Sequence, residues 1–168
     1  KKYPETYDEN LPEDLIYSGS KKFTDTVDGV ELNAGKLVLS PTRTYAPVLD
    51  KIFDEVGRDC INGIIHCSGG AQTKVLNFVE NLHVIKDNLF DIPPLFEMIQ
   101  KESKTQWREM YQVFNMGHRM EIYVDEKFAN QIISISKSFD IDAKVIGKVE
   151  KSDTKKLTIL TEEGEFTY

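Results

Sequence analysis

The chain has 168 residues, 40% of them hydrophobic and 10% aromatic, which suits one domain with a real core; at this size ~70% of the unfolded chain's surface can be buried. A formal charge of −7 and a pI near 5.0 argue against a nucleic-acid or membrane surface, since both partners are polyanionic. Two cysteines, Cys60 and Cys67, lack CxxC spacing and are too few for a disulfide framework, so a reducing compartment is expected.

No apolar run approaches the ~20 residues of a membrane span, and no secretory pattern is present. The chain opens on Lys1-Lys2-Tyr3 without Met, which reads as a boundary within a longer protein. Residues 1–40 are polar and punctuated by Pro4, Pro12, Gly19, Gly29 and Gly35, predicting an extended arm on the edge of a domain that starts at residue 41 and runs to 168. From Pro41 the pattern is regular. Tyr45, Val48, Leu49, Ile52, Phe53 and Val56 fall at helical spacing, with Gly57 as the stop, Thr42 or Thr44 as the cap and Pro47 tolerated in the first turn.

Ile61–His66 reads as a strand running into Cys67-Ser68-Gly69-Gly70, with a helix following through Val75, Leu76 and Val79. Leu82–Ile85 is a second strand, Pro93-Pro94 opens a helix through Phe96, Ile99 and Gln100, and Trp107, Met110, Tyr111 and Phe114 mark another helix face. Met120–Val124 is then a strand, Glu126–Phe139 a helix, and Ala143–Val149 and Leu157–Leu160 two strands joined by a hairpin around Lys151–Lys155. Together these predict an α+β domain, a mixed sheet of four to five strands layered with helices and partly ferredoxin-like in topology.

Two glycines after a strand let a backbone approach a phosphate, and Ser68 adds a hydroxyl donor; a simple tight turn explains the same residues. His66 and Cys67 are neighbours on a strand and point to opposite faces, so they cannot form a Cys–His nucleophile pair. Cys67 reads as a small buried hydrophobe and His66 as a structural histidine unless other evidence promotes it. His66, His83 and His118 lack ligand spacing, and a metal site built within this chain is rejected. Asn115 and Gly117 read either as a helix C-cap or as an amide and a glycine presented to a polar substrate. Arg43 offers a bidentate phosphate clamp or an ordinary solvated helix start. The aromatic row from Trp107 to Phe114 reads as core, and the acidic stretches around Glu102–Glu109 and Glu162-Glu163 as solvated faces.

Three segments in order carry more than any one of them: Ser40-Pro41-Thr42-Arg43-Thr44-Tyr45, then Gly63-Ile64-Ile65-His66-Cys67-Ser68-Gly69-Gly70, then Glu109-Met110-Tyr111-Gln112-Val113-Phe114-Asn115-Met116-Gly117. Over roughly Gly35 to Val149 they closely resemble the C-terminal domain of the aminoimidazole ribonucleotide synthetase (cyclo-ligase) family. The resemblance implies ATP-dependent ring closure of formylglycinamidine ribonucleotide to aminoimidazole ribonucleotide in purine synthesis. It also implies ATP and magnesium held mainly by an N-terminal half, a cytoplasmic homodimer, and no turnover by this piece alone. Carried over by residue, it puts His66 and Asn115 in catalytic positions, and Thr42, Arg43, Ser68, Gly69, Gly70 and Gly117 around the ribonucleotide or the transferring phosphate. Departures are Ala71 where a third glycine is usual, Gln72-Thr73-Lys74 where an Asn-Pro-Arg pattern is usual, and His118-Arg119 where small apolar residues are usual. The competing readings are a related ATP-dependent enzyme, such as a selenophosphate synthetase, thiamine-phosphate kinase or hydrogenase-maturation protein, or a non-catalytic binding module on the same scaffold.

Overall fold

A computed structural model describes residues 20–40 and 43–168. In chain order its elements are α1 (Ala34–Val38), α2 (Ala46–Val56), β1 (Ile61–His66), a 3-10 helix (Ala71–Asn77), β2 (Leu82–Lys86), α3 (Pro94–Ser103), α4 (Trp107–Val113), β3 (Met120–Val124), α5 (Glu126–Lys137), β4 (Gly147–Lys151), β5 (Lys156–Thr161) and β6 (Gly164–Thr167). The class is α+β. β1 and β3 form an antiparallel ribbon, while β4-β2-β5-β6 form a mixed sheet in which only β2 and β5 run parallel.

Helical periodicity places α2. Val48, Ile52 and Val56, four residues apart, are all buried, and Gly57 at φ 91° ends the helix. These three pack on Ile132 and Ile135 of α5, with Ile61, Ile122 and Val124 of the ribbon closing the cluster. A larger cluster joins Ile65 and Cys67 to Val75, Val84, Met110, Tyr111, Met116, Leu157 and Ile159. Each such aliphatic side chain contributes about 1.5–3 kcal/mol when fully buried. The ribbon therefore spans both clusters, one near the start of β1 and one at its end. The aromatic row of α4 is core, as expected: Tyr111 is buried against Phe166, and Phe114 meets Phe96.

Several boundaries differ from the sequence reading. Residues 34–38, expected to be extended, form a short helix capped by Asn33, whose Oδ1 accepts from the Lys36 amide. The N-cap of α2 is Tyr45, with no side-chain capping bond from Thr44. The helix after the glycines is a 3-10 turn that stops at Asn77, short of Val79, and α5 ends at Lys137 rather than Phe139. The strand expected at Ala143–Val149 lies at Gly147–Lys151, because the Ile146 carbonyl is taken by the Asp87 and Asn88 amides and pairing starts only beyond it.

The hairpin expected around Lys151–Lys155 is not one. β4 and β5 flank β2 on opposite sides, and the connection passes around the start of β2, held by the Ser152 amide on the Asn81 carbonyl. The hairpin of this sheet is β5–β6, a strand the sequence reading lacked, and Glu162-Glu163 are its exposed turn. Ser20 is tied to α3, its amide and hydroxyl both donating to the Glu102 carboxylate. Among the described residues no helix is long and apolar enough to cross a membrane.

Candidate functional site

Strand alternation sets the first half of the site. Along β1 and just beyond it, Ile65 and Cys67 turn into the core while His66 and Ser68 face outward. Cys67 is 3% exposed, and burial, reinforced by the nearby Glu121 carboxylate, pushes its thiol up to about 12. It is therefore an inert core thiol. The chain then folds back on itself, with the Ala71 amide donating to the Ser68 carbonyl at 2.7 Å and the Thr73 amide to the Gly70 carbonyl at 2.9 Å.

Gly70 lies at φ 86° and Ala71 at φ 42°. A left-handed alanine costs about 1–2 kcal/mol relative to glycine, and here the methyl is fully packed in the core, which offsets that cost. The amides of Gly69 and Gly70 have no acceptor among the described residues and belong to exposed residues. Lys74 folds back over this turn, its ammonium donating to Ser68 Oγ at 2.9 Å and to the His66 carbonyl at 3.0 Å. Two available amides, a hydroxyl and an ammonium thus sit together at the end of β1.

This turn forms one wall of an open groove of about 710 Å³ lined by Gly69, Gly70 and Thr73 on one side and by Gln106, Arg108, Glu109, Gln112 and Val113 of the α4 region on the other. Arg108 is held in place by its stack on the Tyr168 ring and by a bond to the Thr167 carbonyl. The groove lining thus holds one fixed cation, Arg108, beside one carboxylate, Glu109.

Asn115 and Gly117 build the second half. Asn115 Oδ1 accepts from the Gly117 amide at 2.9 Å, and Met116 and Gly117 take left-handed conformations at φ 51° and 93°. Gly117 also packs tightly on Pro93, since a Cβ there would come within 3.1 Å of the proline Cγ. Neither Asn115 nor Gly117 lines the groove; they connect to it from behind, through Gln72 Nε2, which donates to the Asn115 carbonyl at 2.7 Å. Arg43 is elsewhere. Its guanidinium donates to the Asp140 carbonyl just past α5, on the side of the second core cluster. Thr42 lies outside the described residues.

His118 is buried. Its Nε2 accepts from the Phe90 amide at 3.0 Å, so Nδ1 carries the proton and donates to the Met116 carbonyl at 3.2 Å. Burial, with further contributions from Lys86 and Lys144, overrides Glu121 and the Met116 carbonyl and depresses its pKa to about 4. Because the folded value lies below the unfolded one, near 6.5, the unfolded chain binds the extra proton first on acidification. Stability from this group is complete above pH 6.5 and falls by about 3 kcal/mol as pH drops to 4. Urea unfolding at pH 7 and pH 4.5 measures it: His118→Gln, which can still accept from Phe90 and donate to Met116, should lose this part of the pH dependence. An identical slope in that variant would show that other groups carry it.

Sequence reasoning did not select the polar residues behind the turn. Lys86 and Glu121, 1% and 6% exposed, form an ion pair at 2.5 Å. The Lys86 ammonium also donates to the backbone carbonyl and to Oε1 of Gln72, both at 2.9 Å, and the Tyr123 hydroxyl donates to Glu121 Oε2 at 2.6 Å. The signal was the strand period: Val84 points inward, so Lys86 does too, and Glu121 pairs with buried Ile65.

A family model described as AIR synthase related protein, C-terminal domain, matches residues 19–160. Curated relatives named phosphoribosylformylglycinamidine cyclo-ligase include proteins of Syntrophus aciditrophicus, 35% identical over 89% of this chain and 44% of that protein, and of Methanocaldococcus jannaschii, 36% identical over 73% and 36%. A third, from Methanococcus vannielii, is 36% identical over 79% of this chain and 40% of its own length. The chain therefore spans less than half the length of these relatives.

Proposed function

This chain belongs to the AIR synthase related family as its C-terminal domain, and we propose that it serves a phosphoribosylformylglycinamidine cyclo-ligase by binding the phosphorylated ribose of the substrate in the groove beside the glycine turn. The observation that carries this reading is the pair of amides, free among the described residues, of Gly69 and Gly70, which line the groove, with the Ser68 hydroxyl and the Lys74 ammonium bonded to each other beside them. An anion needs such a local concentration of donors here, because the net charge of −7 repels it at long range.

In the reaction implied by the family, the γ-phosphoryl group of ATP moves to the formamide oxygen of formylglycinamidine ribonucleotide, releasing ADP. The amidine nitrogen then attacks the activated carbon, phosphate departs, and aminoimidazole ribonucleotide is left. The nucleophile is within the substrate, so positioning is the main contribution asked of this domain. His66, exposed just before the glycine turn, and Asn115, whose Oδ1 is committed to Gly117 and which lies outside the groove lining, are the side chains assigned to the reacting end. Thr42 and Arg43 keep their assignment at the border of the site; Arg43 is exposed and spends one of its five N–H donors on the Asp140 carbonyl.

ATP and magnesium are assigned to a part of the longer protein outside this chain. Among the described residues no three His, Cys, Asp or Glu side chains converge to hold a cation. Residues 1–40 act as the arm leading into the domain at 41–168, and the whole enzyme is a cytoplasmic homodimer that binds small molecules and not nucleic acid. The chain alone binds without turnover.

Ribose 5-phosphate tests the site. At ~100 times its dissociation constant a ligand adds ~2.7 kcal/mol, which for a domain of this size raises the melting midpoint by roughly 5–10 °C. The rise should disappear in Lys74→Ala and shrink in Ser68→Ala. A full rise in Lys74→Ala would place the ligand elsewhere.

A further inference from the structure

The ion pair between Lys86 and Glu121 joins parts of the fold that no strand pairing connects. Lys86 ends β2 in the four-stranded sheet, whereas Glu121 lies in β3 of the ribbon. Between them sits Gln72, fully buried, immediately after the left-handed pair Gly70-Ala71. All three ammonium protons of Lys86 are used: one on Glu121 and two on Gln72, at its backbone carbonyl and its side-chain oxygen. One N–H of the Gln72 amide goes to the carbonyl of Asn115, and the remaining oxygen of Glu121 is taken by Tyr123. No buried side-chain polar atom among the described residues is left without a partner.

A buried ion pair is a poor way to add stability, since its desolvation cost rivals its Coulombic gain and apolar replacements are often neutral or better. Its directional bonds do something apolar side chains cannot. Gln72 has a rotamer fixed at one end by Lys86 and grips the Asn115 turn at the other, so the glycine turn and the Asn115 turn are locked to each other and to both sheets. We propose that Lys86 and Glu121 are positioning residues that, through Gln72, hold these two turns in one fixed relation and so pre-shape the groove for its phosphorylated ligand. The ligand clause rests on the phosphate-site reading above; the locking of the turns stands without it.

The test is amide hydrogen exchange on Lys86→Met/Glu121→Leu, which removes both charges together. Probes in the two turns are the amides of Ala71, Thr73, Gly117 and His118, all bonded within their turns, and the reference is the β5 sheet at Leu157 and Ile159. Exchange in the turns should accelerate roughly tenfold or more while the β5 amides hold their protection, because local opening is freed without global unfolding. Equal acceleration in turns and sheet would mean a merely structural pair, and unchanged turns would mean no locking; either overturns the proposal.

Gln72→Met keeps the ion pair and the bond from Lys86 to the backbone carbonyl of residue 72, but removes the Oε1 acceptor of Lys86 together with the link to Asn115. It should loosen Gly117 and His118 in the same way, and it gives the decisive reading if the double variant does not fold; unchanged Gly117 and His118 amides there would overturn the proposal too. In a parallel titration, ribose 5-phosphate should bind the double variant roughly tenfold more weakly than the wild type. Equal affinities would overturn the pre-shaping. Failure of the wild-type chain to bind would count against the phosphate-site reading alone, with the exchange result still deciding whether the turns are locked.

Discussion

Lys86→Met alone should cost about 3–5 kcal/mol, among the largest losses any single change in this chain can produce. The substitution preserves most of the aliphatic stem but leaves the Glu121 carboxylate 6% exposed and facing the Tyr123 hydroxyl alone. It also leaves the backbone carbonyl and Oε1 of buried Gln72 without their donor. At roughly 2–4 °C per kcal/mol for a domain of this size, the melting midpoint falls by roughly 6–20 °C. Adding Glu121→Leu should recover most of the loss, since the uncompensated charge disappears. The double-mutant cycle then returns a coupling energy well above the ~0.3–0.5 kcal/mol scatter of independent sites. A Lys86→Met protein that melts with the wild type would mean that water or a backbone shift satisfies Glu121, and the network would lose its claimed rigidity.

Gly147→Ala is the second large effect, and its origin is backbone geometry. Gly147 pairs with Lys86 at the start of β4, where an added Cβ would fall 1.9 Å from the Ile85 carbonyl oxygen and 2.9 Å from Lys86 Cα. Neither atom is the movable end of a side chain. The methyl fits only if the β2–β4 pairing opens at that end, together with the bonds from the Asp87 and Asn88 amides to the Ile146 carbonyl. Forced overpacking costs about 1–3 kcal/mol, and more where main chain must move. Urea unfolding measures it directly; a loss below about 1 kcal/mol would show that β4 can shift sideways as an edge strand. The contrast with Gly69, where an added Cβ meets nothing within 4 Å, provides an internal control.

How much of this was legible in the chain depends on whether the information was local. α2 follows from Val48, Ile52, Val56 and Gly57, and Ile61–His66 and Met120–Val124 were read with their structural boundaries, because alternation and stop residues sit within the segments themselves. The opposite facing of His66 and Cys67 follows from the strand period and needs no partner. What failed was non-local. Lys151–Lys155 looks like a hairpin, but which strand lies next to β5 is decided by β2, some 70 residues earlier. Ala143–Val149 is apolar enough for a strand, yet only from Gly147 does β2 offer a ladder. The glycine turn was readable as a candidate anion site. The place of Arg43 was not, because adjacency to the other motifs in the family pattern says nothing of its carbonyl partner across the α2–α5 layer. The buried charges escaped notice because Lys and Glu are usually solvated; only their inward strand parity distinguishes them.

The central claim is that the end of β1 and the Asn115 turn serve the cyclo-ligase reaction. The most direct measurement is steady-state turnover of formylglycinamidine ribonucleotide by the full-length protein carrying this chain, with ATP, for the wild type and for Asn115→Ala and Lys74→Ala. Formation of aminoimidazole ribonucleotide is expected, with kcat/KM reduced on the order of a hundredfold in Asn115→Ala, and with Lys74→Ala acting mainly through KM. Failure of the wild type to form the imidazole, or unchanged kinetics in both variants, would contradict the account.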